Sequence, residues 1–121
     1  MFSLSFELTL AEFRKAVELA GRASTYLSAL GYCYGVTGKP AEALGIVREL
    51  EQRYARRDPI GQWIAAVHSG LGEKDKAFEW LEKDFRRHSS QLPDITWLAY
   101  FAGLREDPRF ADLLRRMGFN P

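Results

Sequence analysis

Two stretches of this 121-residue chain are spaced copies of one another: GVTGKPAEAL at 35–44 and SGLGEKDKAF at 69–78. Gly38 and Gly72, Ala43 and Ala77, and bulky Leu44 and Phe78 each stand 34 residues apart. Leu30, Ile64 and Leu98 share another slot of the same period; Gly31, Ala65 and Ala99 share the next, always small. Thr9, Ala43, Ala77 and Ala111 form a second small slot, and Phe13, Val47 and Leu81 a bulky one. Small residues let two helix backbones approach, and bulky ones fill the space beside them. A period of this length is the mark of stacked supersecondary units, because one unit cannot bury its apolar face alone.

The units read as helical hairpins. Leu27, Leu30, Gly31 and Tyr34 fall at i, i+3, i+4, i+7, as do Gly61, Ile64, Ala65 and His68, and Ile95, Leu98, Ala99 and Ala102. Stripes through Ala43–Tyr54, Ala77–Phe85 and Phe110–Met117 complete the pattern. Gly21, Gly38, Gly72, Gly103 and Gly118 follow helical runs, and Pro40, Pro59, Pro93 and Pro108 open the next ones, with Asp58 and Asp107 placed as N-caps. The spacing predicts about seven helices, at 9–20, 24–37, 40–55, 59–71, 74–87, 93–102 and 108–117, joined by short connections that force antiparallel neighbours. Residues 2–8 alternate apolar and polar and read as extended, and Thr9 with Glu12 form a T-x-x-E capping box that would start the first helix.

Composition excludes several classes. Net charge is +1, so no global field draws the chain to nucleic acid or membrane. No apolar stretch approaches the ~20 residues that span a bilayer, and MFSLSFELTL lacks the basic start of a secretory signal. The lone Cys33 rules out an internal disulfide and fits a reducing compartment. A cytoplasmic protein, or a cytoplasmic piece of a larger one, is expected. No catalytic motif, Gly-rich phosphate loop or metal-ligand spacing is present, His68 and His88 standing twenty residues apart. The expectation is a non-enzymatic chain without cofactor or metal. Cys33 is expected to be a buried inert thiol, and His68 a packed ring with a hydrogen-bonded tip. The arginine pairs at 56–57, 86–87 and 115–116 read as solvated helix ends that offset the dipole, with a phosphate-binding patch as the other reading.

The repeat resembles the tetratricopeptide repeat (TPR). LSALGYCY at 27–34 matches the first-helix pattern of that family, GKPAEAL at 38–44 its turn and second helix, and GEKDKAF at 72–78 is similar. The resemblance covers residues 9–118, and DPRFADLLRRMG at 107–118 looks like the closing helix of TPR segments in bacterial multidomain regulators. It implies an all-α fold: a short right-handed solenoid after an extended segment 1–8, with a half repeat at 9–20, repeats at 24–55 and 58–87, and a degenerate capping repeat at 92–118. Leu50 and Asp84 depart from the family where alanine is usual, His68 replaces a tyrosine, and the register is lost after Leu104.

Stacked hairpins curve and leave a concave face lined by first helices. The family register places Thr25, Ser28, Ala29 and Tyr32, then Gln62, Trp63, Ala66 and Ser69, then Thr96, Trp97 and Tyr100 on that face. Ser28, Tyr32, Gln62, Trp63, Ser69, Trp97 and Tyr100 are the candidate contacts for a protein or peptide partner. The same spacing also fits internal packing, with Trp97 covering Trp63 and closing the groove. The family's clamp for C-terminal carboxylates is absent, its positions being filled by Ser28, Ala29, Tyr32, Pro59 and Trp63. The implied function is a protein-interaction scaffold, or a regulatory or self-association module whose groove is filled by its own capping helix. RNA binding through the arginine-bearing helix ends is a further reading. Helix 9–20 lacks a hairpin partner, and at ~25 cal/mol per Å² its exposed stripe would forfeit several kcal/mol. A homodimer is therefore expected through Phe2, Leu4, Phe6, Leu10, Phe13 and Val17.

Overall fold

A computed structural model describes residues 4–56, 60–87, 95 and 99–118, all of whose regular structure is helical. In chain order these are α1 (Leu4–Leu19), α2 (Ser24–Val36), α3 (Pro40–Ala55), α4 (Gly61–Gly70), α5 (Lys74–Arg86), a 3₁₀ helix (Ala99–Leu104) and α6 (Pro108–Arg116). Helix α2 packs on α1, α3 and α4; α4 packs in turn on α5 and on the 3₁₀ helix; α6 lies on α5.

The glycine turns fold as the spacing predicts. Gly38 and Gly72 both take φ of 79°, a left-handed stop that other residues adopt only with strain. The same three main-chain hydrogen bonds close each turn: Thr37 N–H to Cys33 and Leu71 N–H to Val67, Gly38 N–H to Gly35 and Gly72 N–H to Ser69, Lys39 N–H to Tyr34 and Glu73 N–H to His68. Between the hairpins, α2 meets α4 along glycines. A Cβ on Gly35 would come 2.7 Å from the Gly70 carbonyl carbon, and one on Gly70 would come 2.7 Å from the Tyr32 carbonyl oxygen. The ion pairs joining α5 to α6, Asp75–Arg109 and Glu82–Arg116, also span 34 residues each. Exposed pairs contribute little, so the buried Phe110 and Leu113 carry the attachment of α6, with Arg109 lying 4.4 Å above the Phe78 ring.

The structure corrects three expectations. Residues 4–8 are helical, so α1 begins at Leu4, and the Thr9–Glu12 box falls inside the helix. Leu4 and Leu8 are also i and i+4, and a lone strand would leave its N–H and C=O groups unpaired where a helix pairs them locally. Residues 2–3 lie outside the described residues. Within the helix expected at 93–102, residues Ala99–Leu104 form a 3₁₀ helix while 93–94 and 96–98 lie outside the described residues, making six α-helices among the described residues. Ile95, Leu98, Phe101 and Leu104 recur every third residue, which suits a helix with three residues per turn. Ile95, Phe101 and Leu104 are fully buried, whereas Ala102 is exposed.

Thirdly, α4 starts at Gly61 rather than Pro59; Asp58 and Pro59 lie outside the described residues, and Ile60 offers no side-chain cap. The cap comes from α5. Asp84, fully buried, accepts hydrogen bonds from Gly61 N–H at 2.9 Å and Gln62 N–H at 2.6 Å. These are the unpaired donors that open every helix. A Cβ at position 61 would lie 2.3 Å from Asp84 Oδ1, so the contact needs glycine there. Burial pushes the Asp84 carboxyl above its ordinary range, with the two N–H donors pulling the other way. The capping role gives a reason for an acidic residue at position 84, where Leu50 stands one period earlier. At the opposite end, Asp107 caps α6 as expected, accepting from Arg109 N–H at 2.9 Å.

Candidate functional site

The face of α4 that carries Gln62, Ala66 and Ser69, together with the facing side of α2, holds most of the expected partner contacts. The structure buries Ser28, Gln62 and Trp63 and leaves Tyr32, Ser69 and Tyr100 half-buried. Ser28 is fully buried and donates to the Trp63 carbonyl at 3.2 Å, which ties α2 to α4. Trp63 is only 9% exposed. Ser69 Oγ donates to the Tyr100 carbonyl at 2.7 Å, and the Tyr100 ring meets the half-buried Tyr32 ring edge-on, centroids 5.0 Å apart. Thr25 stays exposed. Thr96 and Trp97 lie outside the described residues. The 3₁₀ helix thus brings Tyr32, Ser69 and Tyr100 into one cluster, with Phe101 fully buried beside it.

Gln62 differs from its neighbours. Its side chain is fully buried, and neither Oε1 nor Nε2 has a hydrogen-bond partner. Nothing in the spacing singled out this residue from the aromatic positions around it, because the absence of a partner is a tertiary fact.

Burial pushes the phenols of Tyr32 and Tyr100 and the thiol of Cys33 upward, and Cys33 adds to the shift of both tyrosines. As a buried thiol, Cys33 is a poor nucleophile. His68 is buried with Nδ1 2.8 Å from Glu73 Oε1, the hydrogen-bonded tip expected of it. That bond holds the Glu73 carboxyl below its usual range. The partner sits five residues on, across the glycine turn, and the acidic residue at 73 was the signal available in the sequence.

The self-association residues fare differently. Leu10 and Val17 are 2% exposed in the single chain, where α1 packs on α2. The side chains of Leu4, Phe6 and Phe13, and all of Phe2, lie outside what is described. Among the described residues, the large apolar side chains that stay on the surface are Leu19 and Tyr26. At the helix ends, Arg87 stacks 3.7 Å above the Tyr54 ring, and Arg116 pairs with Glu82 and Asp112. Arg57 is outside the described residues.

Among the described residues no group of three or more His, Cys, Asp or Glu side chains could hold a metal ion, and no helix is long and apolar enough to cross a membrane. The chain matches no protein-family model, no curated protein and no solved structure.

Proposed function

We propose that the chain is a non-enzymatic protein-interaction module, built as a short solenoid of the tetratricopeptide type with its concave face closed by its own C-terminal segment. The observation that carries this reading is the contact of Ser69 and Tyr32 with Tyr100. A segment of chain lies where a first-helix face would receive a peptide. The solenoid reading is supported by the identical hydrogen-bond sets of the Gly38 and Gly72 turns and by the constant 34-residue offset of the α5–α6 ion pairs. Repeated geometry of this kind is what stacked equivalent hairpins produce.

A binding role is favoured over chemistry because the serines of this face are placed to hold backbone rather than to move protons. Ser28 and Ser69 both donate to carbonyl oxygens. Self-association through α1 has less physical motive than its lone position suggests, since Leu10 and Val17 already find cover within the chain.

The test is affinity capture on the immobilised full chain, from extract of its source cells with and without nuclease treatment. A protein retained in near-stoichiometric amount at physiological salt is expected. Retention of nucleic acid alone, falling steeply as salt rises, would replace this reading with a polyanion-binding one.

A further inference from the structure

The 34-residue period also relates two surface clefts. One lies between α1 and α3, over Leu30 and Tyr34 of α2; the other, of about 290 Å³, lies between α3 and α5, over His68 of α4. Arg14, Tyr34 and Ile46 of the first stand one period before Arg48, His68 and Trp80 of the second. The clefts share a plan and differ in charge. Glu42 and Glu49 of the first give way to Lys76 and Lys83 in the second. The first sets Glu18, Glu42 and Glu49 against Arg14 and Arg22, and both guanidiniums are engaged: Arg14 Nε donates to the Tyr34 hydroxyl at 2.8 Å, and Arg22 pairs with Glu49. The second sets Arg48, Lys76 and Lys83 against Glu51 and Glu79.

The cations of the second cleft are less committed. Arg48 is exposed and makes no hydrogen bond or ion pair among the described residues. Lys83 Nζ stands 4.0 Å above the Trp80 ring, a contact that leaves its positive charge uncompensated. Lys76 lies 3.6 Å from Glu73 Oε2, and the other oxygen of that carboxylate is 2.8 Å from His68 Nδ1. A carboxylate only accepts, so Nδ1 carries the hydrogen, and Nε2 is the ring atom left to a ligand. One period further on, the positions of Lys76, Glu79, Trp80 and Lys83 are held by Phe110, Leu113, Leu114 and Met117, which pack against the core. Hairpins of this chain therefore stack with acidic, basic or apolar residues in these slots, and the basic set is not one that stacking requires.

Three cations around a concavity of this size suit a small anion, gripped by a guanidinium fork and two ammonium groups. Glu51 and Glu79 beside them disfavour a long polyanion such as nucleic acid. We propose that the α3–α5 cleft binds a small oxyanion, a phosphate ester or a carboxylate, held by Arg48, Lys76 and Lys83 above His68. The site goes beyond the reading of the chain as an interaction module and does not depend on it.

The test follows the His68 ring by nuclear magnetic resonance while inorganic phosphate or succinate is added to the full chain at fixed pH and ionic strength, with chloride as the control. At least one of the two should shift the ring signals to a plateau that chloride does not reproduce; the one that does names the anionic group. Arg48→Gln should weaken that binding about tenfold, the worth of a charge-assisted hydrogen bond. Arg14→Gln, in the matching slot of the first cleft, should leave it within about twofold. Lys83→Glu, which restores the charge of the Glu49 slot, should abolish it, with circular dichroism showing each variant folded. No plateau with either anion would overturn the proposal. So would the same response to chloride, or equal weakening by Arg14→Gln and Arg48→Gln, since both would mark general ionic screening rather than a site.

Discussion

Replacing Asp84 by alanine should cost the protein a large share of its stability. The carboxylate accepts from two buried main-chain donors at the start of α4, Gly61 N–H and Gln62 N–H. Each buried donor left unpaired costs about 1–3 kcal/mol, so the lost bonds amount to about 2–6 kcal/mol. Removing a buried charge returns part of its desolvation penalty, and the net expectation for Asp84→Ala is about 3 kcal/mol. Against a typical domain stability of about 5–15 kcal/mol this is severe. Asparagine keeps one acceptor but turns an NH₂ group toward an N–H, so Asp84→Asn should fall between, at about 1–2 kcal/mol.

Urea titration followed by circular dichroism at the helix band reads the difference directly. With a slope of about 1–3 kcal/mol per molar, the alanine variant should lose about 1–3 M in its midpoint. Protonation supplies an independent check. The folded Asp84 carboxyl titrates above its unfolded value because burial disfavours the charge. The part of its contribution that is linked to the proton is therefore fully present below the ordinary carboxylate range and is lost as pH rises through its folded pKa, while the two N–H bonds to the carboxylate remain. The gap between parent and Asp84→Asn should widen, in the parent's favour, as pH is lowered from neutral toward that range. An alanine variant within about 0.5 kcal/mol of the parent, the spread of surface substitutions, would refute the assignment of Asp84 as the cap of α4.

Two further outcomes follow from the packing and the caps. Gly70→Ala should destabilise by about 1–3 kcal/mol, since its Cβ would meet the Tyr32 carbonyl on the facing helix; Gly45→Ala, on the exposed face of α3 with open space around it, should stabilise by up to about 1 kcal/mol, and equal urea midpoints for the two would contradict the close approach of α2 and α4. Asp107 is held down to about 2 by Arg109, so its contribution is present above the ordinary carboxylate range and lost as pH falls toward 2; thermal melts of parent and Asp107→Asn should differ at neutral pH and converge near pH 2, and a constant gap would remove Asp107 as the cap of α6.

The helices at 24–36, 40–55, 74–86 and 108–116 were legible in the sequence because glycine, proline and capping aspartate act locally: Gly38, Gly72, Pro40, Pro108 and Asp107 each do their work within a few residues. What escaped depends on distant partners. The alternation at 4–8 reads as a strand only if a neighbouring strand exists. The start of α4 is set by a carboxylate that follows it by more than twenty residues. The family resemblance implied a common face for Tyr32, Ser69 and Tyr100, yet it left open whether that face meets a ligand or the chain itself. The tight period of 95, 98, 101 and 104 was visible, but it was outweighed by the longer helical pattern extended from the preceding units.

The cap of α4 also bears on how the chain is made. During synthesis the first turn of α4 leaves the ribosome well before residue 84 does. Until α5 has formed and folded back, the opening donors of α4 can be met only by water. The central helix cannot be finished by itself, so the hairpin of α4 and α5 should arrive as one cooperative event, and a nascent chain arrested short of Asp84 should hold α2 and α3 without it.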